Sequence, residues 1–178
     1  VFCPFPIIPS HTTYRPFDGK LHLFIGINKM RNRYKGTDIM LKAAQKIVEN
    51  YPEKADLQVA ESVPFEDYVK MMAKSDVILD QLYSYTPSMN PLEAMNQGLI
   101  CVGGGEPENY DIINEHELRP IINVELNESS VYQALYELIL HPERINTLKR
   151  ESMAYIKRHH DYINVAQKYI AFYEQLDH

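Results

Sequence analysis

Cysteine is nearly absent from this chain: Cys3 and Cys101 are the only two, and they lie far apart in sequence. Two such residues do not make a disulfide framework, so a reducing compartment, the cytoplasm, is the expected location. Long apolar runs are missing as well. No stretch approaches the roughly 18 to 20 apolar residues that span a bilayer. Nor does a basic segment followed by an apolar one open the chain. A transmembrane segment is therefore not expected, and membrane association of a longer protein would be peripheral. An excess of positive charge is also lacking, since 18 Lys and Arg stand against 24 Asp and Glu, a net charge of −6. That balance excludes broad electrostatic binding of nucleic acid or anionic lipid, while a local basic cluster can still hold a phosphate. A starting methionine is absent too, and Val1 in its place suggests a fragment whose upstream part carries some of the function. Internal repeats, low-complexity tracts, and Ser/His/Asp, zinc or Walker patterns do not occur. His159-His160-Asp161 offers no metal site by itself, because adjacent histidines on a helix point apart and lack further ligands.

What is present is a regular alternation. With 178 residues and 45% hydrophobic content, the chain can bury one core but not two ordinary domains. Residues 1–20 carry Pro4, Pro6, Pro9 and Pro16 and suit an extended interdomain linker or edge segment. From residue 21 onward, apolar, branched runs predict strands at Leu21–Ile27, Leu57–Ala60, Val77–Leu79, Ile100–Val102 and Pro120–Val124. Helices are predicted from Thr37 or Asp38 to about Tyr51, then over Phe65–Ala73, Pro91–Gln97 and Pro107 to about Asn114. Gly98 can end the Pro91–Gln97 helix in a left-handed cap. Three more helices finish the chain: Ser130–Leu140, Pro142 to about Ile156, and Asn164–Leu176. Strands alternating with helices imply an α/β fold, a doubly wound parallel sheet with helices on both faces and a C-terminal helical tail, over residues 21–178.

In such sheets ligands bind beyond the carboxyl ends of the strands, so the loops after Ile27, Ala60, Leu82 and Val102 converge at one crevice. The first of these loops holds Lys29, Arg31, Arg33 and Lys35 within seven residues, just before a helix whose free N–H groups attract anions. In an acidic chain that cluster suits a phosphate, or is simply a solvated basic loop. The loop after the third strand is polar, and Ser88 or Asn90 can cap the helix that follows. Glu93 on that helix is not required by packing. It either favours the helix dipole or accepts hydrogen bonds from two vicinal hydroxyls. Cations for phosphate beside an acceptor for a diol describe a nucleotide or a nucleotide sugar.

Taken in order, Gly26 with a basic loop ending Lys35-Gly36-Thr37-Asp38, then Ser75-Asp76-Val77-Ile78-Leu79-Asp80, then Leu92-Glu93-Ala94-Met95-Asn96-Gln97-Gly98, then a Gly-rich turn before Pro107-Glu108, resemble a known family. They look like the C-terminal domain of GT-B, group 1 retaining glycosyltransferases, over roughly Leu21–Leu176. The resemblance implies a Rossmann-like domain that binds a nucleoside-diphosphate sugar as donor substrate, with no metal and no further cofactor. The partner domain, N-terminal and missing here, would take an acceptor sugar, lipid or protein.

The same resemblance implies the site residues. Lys35 with Arg31 or Arg33 would counter the diphosphate, Ile27 standing where the family has its arginine. Gly26 and the Ser88, Met89, Asn90 segment would border the phosphates, and Ser62 and Val63 the base. Glu93 would hold the ribose as the second glutamate of the family's Glu-x7-Glu pair, and Glu106 or Glu108 would touch the donor sugar. Tyr85 occupies the position of the first glutamate, a departure that weighs on catalysis more than on nucleotide binding. A sugar-nucleotide epimerase of similar architecture, or a non-catalytic nucleotide- or carbohydrate-binding module, would share much of this pattern. The isolated fragment is expected to be inactive in transfer.

Overall fold

The computed structural model describes the backbone of residues 4–11, 13–28 and 32–176, and the side chains of the same residues except those at 32 and 33. Strands β1 (Leu21–Ile27), β2 (Ala55–Glu61), β3 (Val77–Leu79) and β4 (Ile100–Val102) form one parallel sheet in the order β2-β1-β3-β4. Side chains alternate across a strand, and the sequence uses that alternation to build two cores. Leu21, Leu23 and Ile25, with Val77, Leu79, Ile100 and Val102, face one side. There they meet Met40, Ala43, Ala44 and Ile47 of α2 (Thr37–Asn50) and Val131, Leu135 and Leu138 of α6 (Glu128–Leu140). Phe24, Ile78 and Cys101 face the other. Around them pack Met72 of α3 (Phe65–Ala73), Leu92 and Met95 of α4 (Met89–Asn96), Tyr110 of α5 (Pro107–Ile112), and Tyr155 and Ile156 of α7 (Ile145–His159). Each Val, Leu, Ile, Phe or Met side chain buried here contributes on the order of 1.5–3 kcal/mol. A short helix α1 (Asn32–Lys35) precedes α2, and α8 (Tyr162–Leu176) is the tail.

Several boundaries differ from the sequence expectation for physical reasons. The fifth strand is a single bridge, Ile122 with Val102, closed by Ile122 N–H on the Cys101 carbonyl and Gly103 N–H on the Ile122 carbonyl, both 2.9 Å. β4 is only three residues long, so there is no further ladder for residues 120–124 to extend, and Pro120 has no N–H to add. The helix expected from Pro142 begins as a 3-10 turn, Pro142–Arg144, before α7. Neither Thr37 nor Asp38 caps α2; the N-cap is Gly36 at φ 71°, with no side-chain hydrogen bond. Ser88 does occupy the N-cap of α4, but its hydroxyl is engaged elsewhere. Gly98, at φ 83°, follows α4 as expected, and a Cβ there would lie 2.3 Å from Cβ of Tyr14.

Residues 4–11 and 13–18 form no helix, as their prolines dictate, and are packed. Ile7 is buried and bridges Asp161, its N–H reaching the His160 carbonyl at 2.7 Å. Ser10 N–H donates to Asn96 Oδ1, and Asn96 Nδ2 to the Ile8 carbonyl, at 2.8 and 2.9 Å. Arg15 and Lys149 both bind the buried carboxylate of Asp76 at the amino end of β3, opposite the loops where a ligand would sit.

Candidate functional site

The chain order places β2 on one side of β1 and β3 on the other, so the loops leaving β1 and β3 diverge at a switch point where a crevice opens. A crevice of about 440 Å³ is found there. Gly26 borders it from β1, Lys35 from the end of α1, Ser62 and Val63 from just after β2, Tyr68 from α3, Asp80 from just after β3, and Asn90 from α4. Five of the expected contacts, Gly26, Lys35, Ser62, Val63 and Asn90, therefore share one wall system although they are spread over 65 positions.

At its centre is a residue that the sequence reading did not single out. Asp80 follows the last apolar residue of β3 and is 4% exposed. Lys35 Nζ lies 3.2 Å from its Oδ1, Ser88 Oγ donates to its Oδ2 at 3.0 Å, and Asn90 Nδ2 donates to its Oδ1 at 3.3 Å. A carboxylate this buried needs such donors, and here they come from both sides of the switch point. The backbone is stitched in the same place by Leu82 N–H on the Lys35 carbonyl at 2.8 Å. The signal for Asp80 was a charge placed directly after three buried apolar residues.

Tyr68 is the second residue that the sequence reading passed over. Its ring lies edge-on to Phe24 with centroids 5.0 Å apart, and its hydroxyl accepts from Asn90 Nδ2 at 2.6 Å. Gly26 makes this possible, because a Cβ at that position would sit 2.8 Å from the Tyr68 oxygen. Burial raises the Tyr68 pKa, the Asn90 hydrogen bond opposes this and the Asp80 charge adds to it, so the phenol stays protonated. Ser62, on the facing wall, holds a left-handed φ of 54° that a non-glycine residue adopts only under strain.

The remaining expected residues lie elsewhere. Glu93 is exposed and borders a separate groove of about 740 Å³, together with Ser10, Arg15 and Asn96. Asn90, one turn earlier on the same helix, is the α4 residue that lines the crevice. Glu106 borders a hollow of about 280 Å³ with Tyr83, Tyr85 and Leu126, next to the crevice through the loop at 80–85. Met89 is exposed and borders neither space. Arg31 lies outside the described residues, as does the side chain of Arg33. His159 pairs with Glu115 at 2.6 Å, and among the described residues no group of three or more His, Cys, Asp or Glu is placed to hold a metal ion.

Residues 28–136 match the family model described as the WsaF C-terminal domain, more than half of the chain. The chain belongs to the WsaF C-terminal domain family. The matched span begins at the basic loop, ends in α6, and contains every crevice residue named above except Gly26.

The fold is that of the C-terminal domain of GT-B, group 1 glycosyltransferases. A C-terminal domain of a glycosyl transferase group 1 family protein, LpcC from Francisella tularensis, superimposes with a TM-score of 0.58 at 16% identity, covering 80% of this chain and 87% of that one. A mutant of TarM from S. aureus, solved in complex with fondaparinux, alpha-GlcNAc-glycerol and UDP, gives 0.67 at 11% identity over 94% of this chain. The pneumococcal O-GlcNAc transferase GtfA, in complex with UDP and GlcNAc, gives 0.64 at 14% over 98%. This chain spans 38% of the length of each of the latter two. No curated protein sequence is a significant match. No helix among the described residues is long and apolar enough to cross a membrane.

Proposed function

We propose that this chain is the donor-binding half of a glycosyltransferase that moves a sugar, of the hexose type, from a nucleoside diphosphate to an acceptor with retention at the anomeric carbon. The observation that carries this reading is Lys35 at the mouth of the switch-point crevice, its ammonium within reach of any anion there and its backbone fixed by Leu82. As the glycosidic bond breaks, negative charge grows on the departing diphosphate, and a preorganised cation lowers that barrier. Lys35, with Arg31 or Arg33, supplies positive charge from the protein, so the proposed transfer uses no metal. The nucleoside would lie between Gly26, Ser62, Val63 and Phe65, the last exposed and free to stack. The sugar would extend past Leu82 toward Tyr83, Tyr85 and Glu106. Acceptor binding and transfer belong to the whole protein, with the acceptor on an N-terminal domain.

Lys35→Ala should weaken binding of a nucleoside diphosphate to this chain by more than about 1 kcal/mol in calorimetry, the loss of a charge-assisted hydrogen bond. Unchanged affinity would remove the site assignment. For the activity, the chain joined to its N-terminal half is incubated with nucleotide sugars and the product's anomeric configuration read by NMR. Epimerised sugar nucleotide without free diphosphate would replace the transferase reading with an epimerase. A second reading, a binding module without catalysis, is favoured by Tyr85, exposed where the family resemblance places a carboxylate. Its signature is nucleotide binding without any turnover.

A further inference from the structure

We propose that Asn90 and Tyr68 form a neutral pair that reads the vicinal hydroxyls of a ribose, the task that the family resemblance assigns to Glu93. The proposal rests on the nucleotide-binding reading of the same crevice. Asn90 Nδ2 faces both the Tyr68 oxygen, at 2.6 Å, and Asp80 Oδ1, at 3.3 Å. An ionised carboxylate accepts and does not donate, so the Asn90 atom turned toward Asp80 is the nitrogen and not the oxygen. Both amide hydrogens are thereby used. Asn90 Oδ1 is left as an acceptor with no hydrogen bond among the described residues, on a side chain that lines the crevice. Tyr68 accepts from Asn90 and so keeps its own proton to donate.

An acceptor and a donor thus stand side by side on one wall, and two adjacent hydroxyls can satisfy both, one donating and one accepting. A carboxylate offers only acceptors. It would also add a negative charge beside a diphosphate, whereas Asn90 adds none. Glu93, whose contacts lie in the groove with Asn96 3.5 Å away, does not border this wall. Gly26 belongs to the device as well, since its missing Cβ admits the Tyr68 ring to within reach of Asn90.

The test is calorimetry on the 178-residue chain with uridine, guanosine and adenosine diphosphates, each beside its 2′,3′-dideoxy counterpart. The native chain should favour the ribose form by roughly tenfold, the worth of one to two hydrogen bonds. Asn90→Leu should reduce that preference to within about twofold and Tyr68→Phe to about threefold, while Glu93→Gln leaves it at about tenfold. Tyr68→Phe removes only a hydroxyl and reads the same difference if Asn90→Leu does not fold. A preference that survives Asn90→Leu, or disappears with Glu93→Gln, overturns the pair. Equal binding of ribose and dideoxy forms by the native chain overturns it too, and leaves nucleotide binding standing. Failure of the native chain to bind any of the diphosphates overturns the nucleotide reading itself.

Discussion

Gly26→Ala puts the fit between β1 and α3 to a quantitative test. The new Cβ would lie 2.8 Å from the Tyr68 oxygen, 2.9 Å from its Cε2 and 3.3 Å from its Cζ. All three are closer than ordinary van der Waals contact. Tyr68 cannot simply swing away, because Phe24 lies against its ring at an interplanar angle of 76° and Asn90 holds its hydroxyl. Overpacking of this kind costs about 1–3 kcal/mol. Gly26 does not have a positive φ, so alanine is compatible with the backbone and recovers about 0.4–1 kcal/mol by stiffening the unfolded chain. The two ranges combine to a net loss of about 0–2.6 kcal/mol, centred at about 1.3. Urea unfolding of the native chain, Gly26→Ala, Tyr68→Ala and the double variant isolates the contact. With the ring gone the obstacle is gone, so the glycine substitution should cost at least about 1 kcal/mol less in the Tyr68→Ala background. Equal costs in the two backgrounds would refute the steric reasoning.

Lys149→Met should lower unfolding free energy by about 3 kcal/mol, the low end for breaking a buried pair, since Arg15 and the His22 N–H still hold Asp76; a loss under about 1 kcal/mol in denaturant titration would contradict this. Stability should also fall with acid in two stages. Burial first, and His159 and Lys168 with it, outweigh the Phe5 carbonyl and push the His160 pKa down from 6.5 to about 4. The unfolded chain therefore binds the extra proton between those values, and stability is lost as pH falls from 6.5 toward 4. Burial works against Glu115 ionisation, yet the Leu118 and Glu117 amides, His159 and Arg158 hold its carboxyl far below the usual range, so its contribution is lost only below about pH 4.5. The urea midpoint measured against pH checks both stages, and a His160→Gln variant that keeps the upper stage would refute its assignment. Burial pushes the Cys101 thiol well above its ordinary value. Iodoacetamide should therefore label Cys101 only after denaturation, as read by peptide mass spectrometry.

The elements best anticipated from sequence are those whose residues settle their own fate. Val77-Ile78-Leu79 and Ile100-Cys101-Val102 are strands at the expected bounds because continuous apolar triplets between turn signals are buried on both faces. Phe65–Ala73 is a helix as expected, opened by Pro64 and acidic residues in its first turn. The Ile122 segment has equal β propensity but lacks a neighbour long enough to pair with, which no local window reveals. The site divides in the same way. Lys35, Ser62, Val63 and Asn90 reach the crevice because strand ends must converge in a parallel sheet. Asp80 and Tyr68 owe their roles to partners 45 and 22 positions away, Lys35 and Asn90, and such pairings are invisible until the chain is folded. The α4 helix begins at Met89, two residues before the expected Pro91, so Asn90 is helical and lines the crevice while Glu93 borders the neighbouring groove.

The contact between Lys35 and Asp80 bears on how tightly this crevice can hold anything. The lysine charge is matched by a carboxylate that cannot move away, because Ser88 and Asn90 anchor it. An incoming diphosphate would compete for that ammonium, so its net gain is the difference between two ion pairs and not the whole of one. The carboxylate stays where it is, ready to take the lysine back. If the crevice takes the proposed diphosphate, such an exchange favours modest affinity and rapid release.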